Sequence, residues 1–238
     1  MKKSSILIFI GIISITLQSC SNDSVKIGEQ EWMTKNLDVD KFRNGDPILE
    51  AKTKEDWVLA AELKQPAWCY YDNDSVNYAK YGKLYNWYAV NDERGLAPNG
   101  WHIPSDEEWS KLSDYLGGES IAGNKLKSKS GWKNNDNTNE SGFNALPCGL
   151  RQGDGSFGYF GQDGSYWSAT ENASQYAWNR YLRSDDKVAS RVYSYKEVGL
   201  SVRCINDVAK SQDKEKSKED KSTNQSGSKI YSREDFRN

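Results

Sequence analysis

Apolar positions divide this chain into stretches of different period. Ile6 to Leu17 is a 12-residue apolar block interrupted only by Gly11, Ser14 and Thr16, with Lys2 and Lys3 ahead of it. From Val25 the pattern becomes short: Val25, Ile27, Trp32 and Leu37 are apolar around Gly28-Glu29, which predicts a strand pair turning at that dipeptide. Helical spacing then takes over. Trp57, Ala60, Ala61 and Leu63 predict a short helix over residues 55–63, and Leu84, Trp87 and Tyr88 share one face of a second at about residues 82–91. The strongest helix start is Ser105-Asp106-Glu107-Glu108, directly after Pro104. Ser105 can cap the free N–H groups there while Glu108 reaches back to complete a capping box. Trp109, Leu112 and Leu116 continue that face, and Gly117-Gly118 stops it, because glycine enters the left-handed region at low cost.

Beyond Gly131 the texture is aromatic and β-branched. GFNALPCGLR, SFGYFGQDGSYWSAT, YAWNRYLRS and KVASRVYSYKEVGLSVRCI read as strands, with Asp154-Gly155 and Asp163-Gly164 as turns between them. From Asp207 the apolar pattern ends. Residues 210–229 interleave both charges with Ser and Gln and hold no aromatic residue, so they cannot bury enough surface to offset ordering entropy. Ile230, Tyr231 and Phe236 are a brief apolar return, read as part of the same disordered tail over residues 207–238. The plan is α+β: two main helices packed on a twisted, loop-rich antiparallel sheet.

The leading apolar block is too short to cross ~30 Å of hydrocarbon, which takes about 20 apolar residues. It reads as a signal peptide over residues 1–19. Leu17-Gln18-Ser19-Cys20 resembles a bacterial lipobox, which implies cleavage before Cys20 and acylation of its sulfur and new amino terminus. Two or more acyl chains hold a protein to a bilayer far more firmly than one. Residues 20–24 would then be a short tether, and the protein a lipid-anchored one of the cell envelope, at the outer membrane and facing the periplasm or the surface. Losing Lys2 and Lys3 moves the formal charge from −2 to −4, which provides no basic footprint for nucleic acid. With Cys20 lipidated, Cys69, Cys148 and Cys204 remain in an oxidising compartment. Three is odd, so at most one intramolecular bridge can form.

Eight motifs follow one another in order: VKIGEQEWMTKNLD, FRNGDPI, WCYYDND, YGKLYNWYAVND, GLAPNGWHIPSDEEW, NESGFNALPCGLR, YWSATE and GLSVRC. Together they resemble the Fibrobacter succinogenes major paralogous domain over residues 25–206. WHIPSDEEW and the closing GLSVRC are also similar to a more distant group, the formylglycine-generating enzymes. Both resemblances imply a C-type-lectin-like fold in which the helices at about 82–91 and 105–116 pack together. The family carries Cys at the positions of Cys69 and Cys204, which implies a bridge between them with Cys148 left as a thiol. An unstrained bridge closing so long a loop would contribute roughly 4–5 kcal/mol.

Candidate chemistry is sparse. His102 is the only histidine; with no second imidazole and no CxxC, zinc has few ligands, and His102 reads as a packed residue with one hydrogen bond. Thiol oxidase chemistry of the formylglycine-generating kind needs a reactive Cys pair near the end of the domain, where only Cys148 and Cys204 stand. The expectation is no enzyme. The run from Asn134 to Glu140 offers oxygen donors, with Asp136, Asn139 and Glu140 as weak calcium candidates; no cofactor is otherwise expected. Nine Trp and fourteen Tyr against six Phe favour surfaces that need an apolar body with a polar tip. Arg151, Asp154, Tyr159, Trp167 and Trp178 lie among glycine turns and are the ligand-binding candidates. The function expected is a non-catalytic binding or adhesion module for a glycan or an envelope protein. The alternatives are a structural envelope lipoprotein and, less favoured, a formylglycine-generating-type oxidase.

Overall fold

The computed structural model describes residues 23–207 apart from Asn135; Cys20, the leading apolar block and the tail beyond Asp207 lie outside the described residues. The chain opens with β1 (Ser24–Ile27) and β2 (Gln30–Met33), an antiparallel pair in which Ile27 faces Gln30 across the turn Gly28-Glu29. Next come β3 (Leu49–Glu50), α1 (Lys54–Glu62), β4 (Ala67–Cys69), the single turn α2 (Ser75–Tyr78), β5 (Leu84–Tyr85) and α3 (Trp87–Val90). After β6 (Trp101–His102) the helices α4 (Asp106–Tyr115) and α5 (Glu119–Leu126) follow in immediate succession. The rest is β7 (Leu150–Arg151), β8 (Phe157–Gly158), β9 (Asp163–Ala173), β10 (Tyr176–Arg183), β11 (Ala189–Tyr195) and β12 (Ile205–Asn206). Four small sheets result, ordered β1-β2-β12-β6, β11-β10-β9, β3-β4-β5 and β7-β8. Only β3 and β4 pair in parallel among these strands. The architecture is α+β, loop-rich and mainly antiparallel.

The capping box at α4 forms as the sequence dictates. Ser105 Oγ accepts from the Glu108 amide, and Glu108 accepts from the Ser105 amide at 2.7 Å. Trp109 and Leu112 are buried below it against Trp32, Phe143 and Tyr166. A second capping box, Thr53 with Asp56, starts α1 and buries Trp57 and Ala60.

Three local expectations are corrected. The helix at about 82–91 shrinks to the single turn Trp87–Val90, because the Tyr85 amide pairs with Leu200 O and Leu84 with Cys69, drawing that segment into a sheet. Asn86 then starts the helix late by capping the Ala89 amide. The glycine stop at residues 117–118 ends α4 but also opens α5, so the helix that packs against α4 is Glu119–Leu126. Asp163-Gly164 is no turn; it begins the longest strand, β9. Gly164 is needed there for close approach, since a Cβ would lie 2.7 Å from Leu146 O and 3.1 Å from the Trp132 ring.

The expected Cys69–Cys204 bond is absent: Cys69, Cys148 and Cys204 are all free and buried. Cys69 belongs to β4 and packs with Trp57, Leu84 and Cys148, whereas Cys204 packs with Trp68, Tyr85 and Val202 in a different cluster. Cys69 pairs with Leu84 on one sheet while the Cys204 carbonyl receives the Met33 amide beside another. Cys69 and Cys204 therefore fill apolar gaps in separate clusters, as buried cysteine commonly does, while Cys148 Sγ accepts from Asn36 Nδ2 at 3.0 Å. Arg203, between Val202 and Cys204, is fully buried and donates to Asn36 Oδ1 at 2.7 Å and Met33 O at 2.8 Å, tying the closing segment to β2.

Candidate functional site

The five ligand candidates do not converge. Arg151 is fully buried between the rings of Trp57 and Phe157, with its guanidinium carbon 4.8 and 4.7 Å from their centroids. It donates to Ala51 O at 2.8 Å, Thr53 O at 2.7 Å, Asn73 Oδ1 at 3.3 Å and Gly155 O at 3.3 Å, so it staples loops from the inside. Trp167 is core, fully buried, with its indole N–H donating to Tyr85 O at 2.8 Å. Asp154 accepts from the Ser156 hydroxyl at 2.6 Å and amide at 2.9 Å, closing the β7–β8 turn; the hydroxyl bond, then the amide bond, holds its carboxyl below the usual range. Tyr159 is exposed, with a left-handed φ of +63°, and its carbonyl receives the amides of Gln162 and Asp163 where the chain enters β9. Trp178 alone stands on an open, regular surface.

That surface is one face of the β10–β11 hairpin. The antiparallel register places Tyr176 opposite Tyr195, Trp178 opposite Tyr193, Arg180 opposite Arg191 and Leu182 opposite Ala189. Side chains alternate between faces along a strand, so these eight project to the same side. At one end Leu182 and Ala189 are buried beneath the helices, where a Cβ on Gly123 of α5 would collide with the Val188 carbonyl. At the other end nothing described in the chain covers them. Tyr193 and Tyr195 are 56 and 47 % exposed, and Tyr176 and Trp178 are half-buried. The ring centroids of Tyr176 and Tyr195 are 4.5 Å apart, those of Tyr176 and Tyr193 5.2 Å, and those of Trp178 and Tyr193 5.9 Å. A hydrogen bond to Tyr195 pushes the Tyr176 phenol up from its ordinary pKa.

The middle of this face is held by arginines. Arg191 lies over the Trp178 ring at 3.4 Å and donates to Asp106 Oδ2 at 2.8 Å. Arg180, almost wholly buried, donates to Asp106 Oδ1 at 2.6 Å and to Ser110 Oγ at 2.9 Å. Asp106 is the first residue of α4, where a carboxylate also meets the positive end of the helix dipole. The helix start thus fixes the guanidinium that steadies Trp178. Of the sequence candidates Trp178 alone lies on this face; Tyr176, Tyr193, Tyr195 and Arg191 join it only through the strand register. The signal was present: two strand runs carry an aromatic residue at every second position, YAW and YSY.

Other sites are closed by their own partners. His102 is hydrogen-bonded at both ring nitrogens, 2.8 Å from Asp207 Oδ1 and 2.8 Å from Glu108 Oε1, so it makes two bonds where one was expected. Burial opposes the Glu108 charge, but bonds from His102 and from Ser105 outweigh it and hold the carboxyl down at about 2. The calcium candidates do not assemble: Asn139 Oδ1 accepts from the Asn144 amide, Glu140 faces Lys125 at 3.8 Å, and Asp136 lines a 260 Å³ cleft with Asp185 and Asp186. Beside those aspartates the Lys127 ammonium donates to Asp186 O at 2.6 Å and Arg183 O at 2.8 Å. Among the described residues no group of three His, Cys, Asp or Glu side chains is placed to hold a metal. On the inner face of the hairpin, Lys196 pairs with Glu171 at 3.0 Å and lies over Trp87, and all three line an open 320 Å³ pocket. No described helix is long and apolar enough to cross a membrane.

The family model of the Fibrobacter succinogenes major domain matches residues 25–206, and the chain belongs to that family. The match spans β1 to β12 and includes the hairpin. No curated protein matches the chain.

Proposed function

We propose that this member of the Fibrobacter succinogenes major domain family is a non-catalytic binding module, lipid-anchored in the cell envelope, that holds a glycan on the open half of the β10–β11 face. The observation that carries the reading is the aromatic row Tyr176, Trp178, Tyr193 and Tyr195, with Tyr193 and Tyr195 exposed and Arg191 laid over Trp178, on a face whose other half lies under helices. β10 and β11 offer only aromatic and arginine side chains there. The apolar C–H face of a sugar ring stacks on such rings, while phenol hydroxyls and the Arg191 guanidinium supply hydrogen bonds at their edges. Successive same-face positions are about 7 Å apart along a strand, which suits an extended run of sugar rings. Two paired strands and an Asp106 anchor keep the platform rigid, so little ordering entropy is lost on binding.

The absence of a reactive thiol pair supports the non-catalytic reading over an oxidase. Burial pushes Cys69 and Cys204 up to about 12 and Cys148 to about 11, which keeps all three protonated and unreactive near neutrality. Sugar binding on the aromatic face requires no calcium. Cys20, with the lipobox before it, is the anchor; Cys20→Ala should abolish fatty-acid labelling and release the protein from membranes.

The test is a glycan-array screen of the full chain in detergent, run beside Tyr195→Ala. A glycan retained by the wild type and lost by the variant, at an unchanged melting temperature, supports the reading. A broad screen of glycans with no retained ligand contradicts it and leaves the structural envelope lipoprotein as the better account.

A further inference from the structure

The described chain begins at a groove. Met33, Leu37 and Trp101, with the charged Asp23, Lys35 and Asp38, line an open cavity of about 400 Å³. Asp23 is pinned at its mouth: its carbonyl accepts from the Thr34 amide at 2.9 Å and its carboxylate pairs with Lys35 at 2.7 Å. Trp101 and Met33 are only partly buried, though both touch the first core cluster. The carboxyl end of the domain leaves from the same place, since Asn206 pairs with Trp101 and the Asp207 amide donates to Gly100 O.

We infer that this groove is the membrane-facing surface of the protein, with Trp101 and Met33 seated at the headgroup level of the bilayer that anchors Cys20. The inference rests on the lipid anchoring proposed above and adds an orientation to it. Only Ser21 and Asn22 separate Cys20 from Asp23. Three residue steps reach at most about 10 Å even when fully extended. An acylated Cys20 must sit where acyl chains meet headgroups, so the mouth of the groove cannot stand farther than that from the interface. Tryptophan is the residue that favours this layer, with its ring among the acyl ends and its N–H toward water. Lys35, exposed at the rim, neutralises Asp23 there through their ion pair. The bilayer is the one partner that the chain length delivers to this groove without any further binding event.

The full-length protein is reconstituted in vesicles of phosphatidylethanolamine and phosphatidylglycerol, and in matched vesicles whose phosphatidylethanolamine chains are brominated near the headgroup. Mass spectrometry of the amino-terminal peptide reports acylation of Cys20 independently. The Trp101 contribution to fluorescence is read as the difference between wild type and Trp101→Phe. That contribution should be lost in brominated vesicles while the Trp178 contribution, read with Trp178→Phe, stays unchanged. Without any substitution, hydrogen exchange at residues 33–38 should slow on vesicle attachment while residues 176–195 exchange as before. An acylated, vesicle-bound protein with unquenched Trp101 and unchanged exchange at 33–38 overturns the orientation and leaves the anchoring intact. A Cys20 without acyl chains overturns the anchoring itself, and the orientation with it.

Discussion

Two aromatic groups in this protein have nearly the same composition and opposite uses. Tyr71, Tyr78, Tyr81 and Phe160 come from loops and single turns, with Phe157 from the two-residue strand β8, and their rings close on one another: Phe160 meets Tyr78 and Tyr81 edge-on, with centroids 4.8 and 4.9 Å away. Tyr176, Trp178, Tyr193 and Tyr195 come from two paired strands, and the register holds them side by side on one face with Tyr193 and Tyr195 exposed. A loop lets rings turn inward until they satisfy each other, making a satellite core. A sheet fixes the direction of every second side chain and prevents that collapse. Backbone regularity, more than residue type, separates a platform from a plug.

The largest effect should come from the support shared by the hairpin and α4. Asp106→Ala leaves the buried Arg180 guanidinium without its carboxylate, and breaking a buried pair costs about 3–5 kcal/mol. Chemical denaturation should show that loss together with weakened ligand binding, since Arg191 also loses its anchor over Trp178. Trp167→Ala, one strand away from Trp178, should likewise cost about 3–5 kcal/mol as a core truncation. If Trp167→Ala leaves the denaturation midpoint unchanged, the inner and outer faces have been confused.

Acid should strike the same support next. The Glu108 carboxyl is held at about 2 in the folded chain, below its ordinary 4.5, so its contribution is fully present above pH ~5 and is lost as pH falls toward 2. The separation corresponds to about 3 kcal/mol. Glu108→Gln should flatten the decline in stability between pH 5 and pH 2, as measured by urea midpoints at each pH. Smaller still, Phe160→Ala should cost about 1–2 kcal/mol by opening the loop cluster and leave ligand affinity alone. Tyr193→Ala should be the mildest for stability, within about 0.5 kcal/mol, because more than half of the ring already faces water.

The legibility of the sequence follows the same division. Features set by neighbours in the chain were readable: the Gly28-Glu29 hairpin, the Ser105–Glu108 capping box and the helix near residues 55–63 all appear where the pattern puts them. Features set by distant partners were not. Leu84-Tyr85 looks helical until Cys69 and Leu200 claim it for a sheet, and Gly164 looks like a turn until Leu146 and Trp132 press against it. The site divides in the same way. Arg151 sits among glycines just as exposed ligand residues do, but a Cβ on Gly199 would lie 3.1 Å from its own Cβ, so that glycine admits close packing around a buried side chain. Trp178 is a candidate on the same glycine-turn signal, and what sets it beside Tyr176, Tyr193 and Tyr195 is the register between β10 and β11, which a linear pattern does not contain.

The direct test of the central claim compares the two aromatic groups in one affinity measurement. The glycan selected by the array is titrated calorimetrically into wild type, Tyr193→Ala and Phe160→Ala, with melting temperatures recorded alongside. Tyr193→Ala should weaken binding at least about tenfold, or ~1.4 kcal/mol, with the melting temperature nearly unchanged. Phe160→Ala should melt earlier and bind as the wild type does. The reverse pattern, with affinity lost in Phe160→Ala and kept in Tyr193→Ala, would place the binding surface on the loop cluster and contradict the account.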